Sequence, residues 1–99
     1  MKLKQRLLKH RPNEADKFFD LVRAEVHRAE KKFPTWPEDN IHSVAIMMEE
    51  AGEAIQASVQ QEYESGSQGA LDGELIQTAA MCFRAWLNNH YTIERKDGE

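Results

Sequence analysis

Acidic and amide side chains occur in two clusters whose spacing suits metal binding. The segment EEAGE at residues 49–53 places Glu49, Glu50 and Glu53 in a run otherwise built mostly from Ile, Met, Ala, Gly and Val. Glu74 and Gln77 follow in the next helical segment, three residues apart. Residues three apart lie on one face of a helix, so each cluster can converge on one point. Carboxylates that converge in a partly desolvated site need a cation, and an all-oxygen set suits Mg²⁺ or Mn²⁺ better than zinc.

Taken alone, the first cluster is a weak signal, because charged surfaces of helices often contain the pattern EExxE. The second cluster favours a ligand set over a solvated surface. Glu49 shares a polar sector of its helix with His42, Gln56 and Gln60, so for this residue a surface position and an outer ligand remain equally open.

Three segments with helical periodicity must position these groups. They run from about 13 to 33, from a start within 34–40 to about 61–63, and from about 69 to 89. Asn13 is the predicted cap of the first segment. The second segment has two candidate starts, a capping box from Thr35 to Glu38 and a later cap at Asp39 or Asn40. A short Gly/Ser-rich loop separates the second and third segments, so we expect them to pack antiparallel.

Apolar residues form a continuous stripe on each of the last two segments, and we predict that these stripes face the core. They are Ile41, Val44, Ala45, Met48, Gly52, Ile55 and Val59, and then Leu71, Leu75, Ala79, Cys82 and Trp86. Glu50 and Glu53 flank a second strip of smaller residues, and Glu74 and Gln77 also lie off the main stripe. Antiparallel packing brings both clusters to one interhelical space. Because both segments are apolar on a second side as well, we predict that a partner covers this side. Ile76, Ala80, Phe83 and Leu87 of the third segment are the candidates for the excess apolar surface.

Composition restricts the class of protein. The 99 residues predict one all-α domain, an antiparallel bundle of three main helices with an N-terminal extension over 1–12 and a flexible tail over 90–99. A net charge of -4 with mixed signs argues against binding to nucleic acid. The single Cys82 and the absence of an apolar run of about 20 residues predict a cytoplasmic protein without a membrane span.

The two acidic motifs carry a family resemblance. EEAGEAIQA at 49–57 followed by ELIQTAAM at 74–81 resembles the EExxE and ExxD elements of the MazG-like, all-α nucleoside triphosphate pyrophosphohydrolases. The resemblance covers about residues 14–88. Gln77 stands where the family pattern usually has Asp, and its amide oxygen can still ligate a metal, although without adding charge.

The resemblance implies Mg²⁺-dependent hydrolysis of a nucleoside triphosphate to a monophosphate and pyrophosphate, with Mn²⁺ as a substitute metal. It implies that Glu50, Glu53, Glu74 and Gln77 hold the metal and that Glu49 or Glu53 activates water, which makes all four glutamates catalytic candidates. Lys32 and Arg84 are the predicted phosphate contacts. Trp36 is either a platform for the base or a hydrophobic residue beside the helix start. The resemblance also implies a homodimer or a tetramer that completes the helical bundle.

The sequence leaves two other functions open. One is a nucleotide-binding and metal-binding protein with little turnover, which the amide of Gln77 favours. The other is a structural helical module whose acids are surface residues.

Overall fold

The computed structural model describes the backbone of residues 11–97 and the side chains of residues 11–90. This part of the chain is all-helical: α1 is Pro12–Lys32, α2 is Asn40–Tyr63 and α3 is Gln68–Asp97. The all-α prediction is confirmed. Most of the predicted N-terminal extension, residues 1–10, lies outside the described residues.

The first two helices start differently from one another. Pro12 is the first residue of α1, and the preceding Arg11 makes no capping hydrogen bond with its side chain. The predicted cap at Asn13 is therefore wrong, because proline itself suits the first turn. At α2, the carboxylate of Asp39 accepts hydrogen bonds from the backbone N–H of Ile41 (2.8 Å) and of His42 (3.3 Å). The later of the two predicted caps is confirmed.

The loop between α2 and α3 requires a glycine at residue 66. The N–H of Gly66 donates to the carbonyl of Gln60 at 2.9 Å, and a Cβ at residue 66 would lie 2.8 Å from the carbonyl carbon of Gln60. Ser67 follows and its hydroxyl oxygen accepts a hydrogen bond from the N–H of Ala70 at 3.0 Å. The loop therefore reverses the chain tightly and caps the start of α3.

The third helix is longer than predicted. We expected an end near Asn89 and a flexible tail over 90–99, but α3 continues to Asp97. Neither Pro nor Gly occurs from Asn89 to Asp97, and Gly98 is the first such residue. Without a helix breaker the backbone hydrogen bonds continue. The predicted helix end near Asn89 is therefore wrong, whereas the flexibility of the tail stays a prediction, and residues 98 and 99 lie outside the described part.

α3 is the central helix of the described chain. Both α2 and α1 pack against it, whereas α1 and α2 make no direct backbone contact within residues 11–97. The α2–α3 pair is antiparallel, and the amide of Asn40 donates to the amide oxygen of Asn89 at 3.0 Å. A small core joins α1 to α3 through Val26, Ala29, Ala80 and Met81. A groove therefore remains between α1 and α2, above α3.

The apolar stripes predicted to face the core lie largely on the outside. Ile41, Met48 and Ile55 of α2 are exposed, as are Leu75 and Trp86 of α3. Inward positions on these helices hold the small residues Ser43, Ala57 and Ala80, the charged Arg84 and the apolar Met81. Small residues let two helix backbones approach closely, and this favours the second strip of α2 as the packed face. On α1, Val22, Val26 and Ala29 face inward as predicted, but Phe18 and Leu21 are exposed.

No helix among the described residues combines the length and apolar character needed to cross a bilayer.

Candidate functional site

Three carboxylates converge between α2 and α3. Glu50 and Glu53 come from neighbouring positions on one face of α2, and Glu74 comes from the second turn of α3. One oxygen from each lies within 4.8 Å of the others. The antiparallel pairing of α2 and α3 produces this arrangement, because it sets the middle of α2 opposite the beginning of α3. The predicted convergence of these three acids is present in the structure.

Two of the acids are poorly compensated. The Oε2 atoms of Glu50 and Glu74 are buried and have no hydrogen-bond partner among the described residues. Burial raises the pKa of Glu50, and the negative charges of Glu53, Glu74 and Glu25 and a hydrogen bond with Glu53 raise it further. Burial also raises the pKa of Glu74, with the charge of Glu53 and a hydrogen bond to Glu53 adding to the effect. The cluster therefore resists full ionisation when no cation is near.

The geometry of this cluster fits a small hard cation. In an octahedral Mg²⁺ site with bonds of about 2.1 Å, neighbouring ligand oxygens are about 3.0 Å apart and opposite ones about 4.2 Å. Among three ligands at least two pairs are neighbours, so oxygens that lie within 4.8 Å of one another need to close by at most about 1.8 Å, through rotation of the Glu side chains. A cation would also satisfy the two buried, unpaired oxygens. These residues can therefore hold Mg²⁺ or Mn²⁺ through oxygen alone.

A cavity of about 450 Å³ adjoins the acidic cluster. It occupies the groove between α1 and α2 above α3, and Glu50 lies at its border. Its lining contains Glu25, Arg28, Ala29, Phe33, Thr35, Trp36, Pro37, Ile46, Glu49, Glu50, Gln77, Met81 and Arg84. The volume lies within the range of about 300–1,000 Å³ that is typical of small-molecule sites. Among the predicted site residues, the cavity brings Glu49, Gln77, Trp36 and Arg84 to the same place as Glu50.

Trp36 and Arg84 form a fixed pair in the cavity wall. The indole Nε1 of Trp36 donates to the hydroxyl of the buried Ser43 at 2.6 Å. The guanidinium carbon of Arg84 lies 4.6 Å from the centre of the Trp36 ring, and its Nη2 donates to the carbonyl of Phe33 at 2.8 Å. The α1–α2 loop is thus tied to α3, and both side chains are held in place.

Arg84 keeps its positive charge in an environment that disfavours charge. Its side chain is buried, and this burial lowers its pKa, while the charge of Glu30 opposes the shift. None of the described carboxylates forms an ion pair with it. Because arginine stays protonated in proteins, the cavity wall carries a cation without a carboxylate ligand. Such a group can accept a phosphate or a base carbonyl.

Lys32 is not among the residues that line this cavity. It is exposed at the end of α1, and its ammonium is 5.5 Å from the centre of the Phe33 ring. Glu49 lines the cavity, and its side chain is exposed. Gln77 is half-buried in the lining. Its amide occupies a position where an acid would add a fourth negative charge.

Sequence reasoning missed two residues of the cavity wall, Glu25 and Arg28 on α1. Nε of Arg28 donates to Oε1 of Glu25 at 2.9 Å, and Nη2 donates to the other carboxylate oxygen. This pairing raises the pKa of Arg28, and the charge of Glu50 adds to the effect. An available signal was that Glu25 precedes Val26 and Ala29 on the inward side of the helix. Its side chain is only 14% exposed, an unusual position for an acid.

Comparison with known proteins finds no match for this chain: no family model, no curated protein and no solved structure. The resemblance of the two acidic motifs stays a prediction, and function must be argued from the side chains themselves.

Proposed function

We propose that the chain is a Mg²⁺-dependent nucleoside triphosphate pyrophosphohydrolase. It would cleave an NTP or dNTP with one water molecule, breaking the bridge between the α and β phosphates to give a monophosphate and pyrophosphate. One observation carries the proposal: Glu50, Glu53 and Glu74 converge beside a cavity of suitable size for a nucleotide, and Glu50 and Glu74 each have a buried oxygen without a hydrogen-bond partner among the described residues. A nucleotide that binds together with a divalent cation would fill the cavity and neutralise the three carboxylates.

In this mechanism the acids would hold the metal and position water. Glu50, Glu53 and Glu74 would supply the ligand oxygens, and the amide oxygen of Gln77 would complete the set. When bound, Mg²⁺ supplies positive charge to the triphosphate and lowers the pKa of the attacking water. Glu49 or Glu53 accepts a proton from that water. No side chain becomes covalently modified. The carboxylate that accepts the proton from water, Glu49 or Glu53, is exposed and releases the proton to solvent.

The opposite part of the cavity binds the nucleoside. The Trp36 ring, fixed by Ser43 and Arg84, offers an aromatic surface for the base, and the free donors of Arg84 face its carbonyl groups or the phosphates. Arg28 is the proposed phosphate contact on α1. It lines the cavity, whereas the predicted contact Lys32 does not.

Product analysis tests the hydrolysis. Purified protein is incubated with Mg²⁺ and a panel of NTPs and dNTPs, and the nucleotides are separated by chromatography. We expect a monophosphate and pyrophosphate, with turnover abolished by Glu50→Gln and retained by Glu62→Gln on the exposed end of the same helix. A diphosphate and orthophosphate would reject the assigned bond cleavage.

A nucleotide-binding protein with little turnover is the second candidate, and Gln77 favours it. A neutral amide carries no negative charge, so the ligands neutralise one unit less of the positive charge of the metal than they would with a carboxylate at residue 77. Titration calorimetry with a triphosphate and Mn²⁺ separates the two functions, since a binder retains affinity without forming products. A structural module would show neither nucleotide affinity nor a response of melting temperature to Mg²⁺.

We also propose that the chain self-associates as a homodimer or a tetramer. The exposed Ile, Val, Met and Trp side chains of α2 and α3 support this, because a lone chain leaves them in water. A cytoplasmic location is likewise proposed, where the exposed thiol of Cys82 stays reduced.

A further inference from the structure

An acid and an arginine of α1 form a pair in the wall of the cavity. Nε of Arg28 donates to Oε1 of Glu25 at 2.9 Å, and Nη2 donates to Oε2. Both residues line the cavity together with Glu50. The side chain of Glu25 is 14% exposed and that of Arg28 is 56% exposed. The acid is therefore the enclosed member of the pair, and the arginine reaches outward from it.

The position of Glu25 follows from the packing of α1. Glu25 lies three residues after Val22 and four before Ala29, so the three share one side of the helix. Ala29 is buried in the core that joins α1 to α3, and Val22 packs against that core. Packing on this side restricts the rotamers of the Glu25 side chain and holds its carboxylate at the cavity wall.

The pair leaves one edge of the guanidinium free. Arginine has five N–H donors in one plane, and Glu25 accepts from two of them on the side of Nε and Nη2. Nη1 and the second N–H of Nη2 form the other edge, and no described residue accepts a hydrogen bond from Nη1. Two parallel donors at one edge match two oxygens of a phosphate group.

Arg28 is also the arginine of the cavity on which the acidic cluster acts. The charge of Glu50 raises the pKa of Arg28, whereas the carboxylate that acts on the pKa of Arg84 is Glu30. Arg84 lies instead over the Trp36 ring. A phosphate group that binds beside a metal at Glu50 is therefore a ligand for Arg28 rather than for Arg84.

A stabilising role of the ion pair explains this arrangement poorly. Ion pairs with an exposed member add little to stability, and enclosing a carboxylate costs free energy. The charge of Glu25 also raises the pKa of Glu50, so it adds repulsion to the acidic cluster. A role that Glu25 performs through Arg28 accounts for an acid at this position.

We propose that Glu25 is a positioning residue that holds the Arg28 guanidinium with its free edge toward the cavity, where it binds the phosphate groups of a triphosphate. The inference deepens the proposed function and rests on its assignment of the cavity to a triphosphate. No bond of either side chain forms or breaks. Glu25 keeps one rotamer of Arg28 populated, so the arginine loses less conformational freedom when the phosphate binds.

The sign of one substitution separates positioning from simple charge. Glu25→Gln keeps the shape of the side chain and removes a negative charge beside the proposed phosphate site. If charge alone acted, the variant would bind a triphosphate more tightly, because a repulsion is lost. Positioning predicts the reverse result. The glutamine amide offers one acceptor oxygen instead of two, so Arg28 leaves the paired arrangement and binds the phosphate less tightly.

Titration calorimetry of the whole chain with inorganic triphosphate and excess Mg²⁺ measures this effect without a base. We expect the dissociation constant to rise about 3–10-fold for Glu25→Gln and roughly 10–100-fold for Arg28→Gln. Asp20→Asn is the matched control and is expected to bind as wild type does. Asp20 pairs with Arg23 at the same spacing on α1, and the two side chains are 76% and 73% exposed.

Two further variants test whether Glu25 acts through Arg28. In the Arg28→Gln background, Glu25→Gln is expected to cause no further loss of triphosphate affinity. Arg28→Lys keeps the positive charge and an ion pair with Glu25 but has no guanidinium edge, so we expect weaker binding than in wild type. Circular dichroism verifies that every variant remains helical.

Each contrary outcome has its own meaning. An affinity that is unchanged or increased in Glu25→Gln, or unchanged in Arg28→Lys, overturns the positioning role. A loss in Glu25→Gln that persists at full size in the Arg28→Gln background also overturns it, because Glu25 then acts on the ligand or the metal itself. Wild type that does not bind inorganic triphosphate overturns the phosphate site on α1, and product analysis still decides the hydrolysis. Absence of turnover together with the expected affinity changes rejects the hydrolysis alone.

Discussion

Replacing Glu50 by glutamine tests the acidic cluster most directly. The substitution keeps the shape of the side chain and removes one of the three charges whose oxygens lie within 4.8 Å. Without metal, Glu50→Gln removes a buried charge that is repelled by Glu53 and Glu74, so the variant is expected to be more stable than wild type. With Mg²⁺, the variant lacks a ligand and gains less stability than wild type does.

The size of the effect follows from the distance between the charges. Two carboxylates separated by 4.8 Å repel by about 3.5 kcal/mol at an effective dielectric constant of about 20. Glu50 is half-buried, so solvent screening and partial protonation reduce this to about 1–2 kcal/mol at neutral pH. For a domain of this size, we expect the metal-free melting temperature to rise by roughly 5–10 °C.

Thermal melts in EDTA and in a series of Mg²⁺ concentrations measure both effects. Glu62→Gln, an exposed change on the same helix, is expected to keep the wild-type response to Mg²⁺. A metal-free melting temperature for Glu50→Gln at or below that of wild type would contradict the repulsion. An identical Mg²⁺ response in wild type and Glu50→Gln would contradict the proposed ligand.

Three further predictions concern pH, the amide position and the cavity wall. The pKa of Glu50 is raised above 4.5 in the folded chain. Metal-free wild type should therefore lose stability relative to Glu50→Gln as pH rises from about 4.5 through this raised pKa. A difference between the melting temperatures of the two proteins that stays constant across this pH range would refute the prediction. Gln77→Asp should lower the metal-free melting temperature and increase the rise caused by Mg²⁺, since it adds a charge to the same cavity; an equal rise in both proteins would place residue 77 outside the metal site. Arg84→Met should lower the free energy of unfolding by about 1.5–3 kcal/mol and shift tryptophan emission to the red, because the loop loses its bond to the Phe33 carbonyl and Trp36 loses its cation; unchanged denaturant melts would contradict this anchor.

The sequence was sufficient to predict the three helices and the meeting of the acids. Helical period places Glu50 beside Glu53 on α2, and a short loop allows only an antiparallel return, which brings Glu74 opposite them. The length of α3 was underestimated, because no residue in 90–97 indicates either an end or a continuation by itself. Propensity alone does not decide where such a segment stops.

The sequence could not decide which side of α2 faces inward. Both sides are apolar, and the bulkier stripe, which includes Ile55, is the usual choice for a core. In the structure the side that holds Ser43 and Ala57 is instead the buried one. The contribution of Arg28 was also beyond sequence reasoning, since it depends on how α1 lies against α3, a contact between residues far apart in the chain.

Among the described residues the backbone of α1 lies against α3 but not against α2, and this has a consequence for local unfolding. α1 can detach from α3 while the α2–α3 interface stays intact, so we expect its amides to exchange with solvent hydrogen at a lower opening free energy than those of the other two helices. Glu25 and Arg28 leave the cavity in that opened state, although Glu50, Glu53 and Glu74 remain together. A ligand that spans the groove should therefore slow hydrogen exchange in α1 more than in α2.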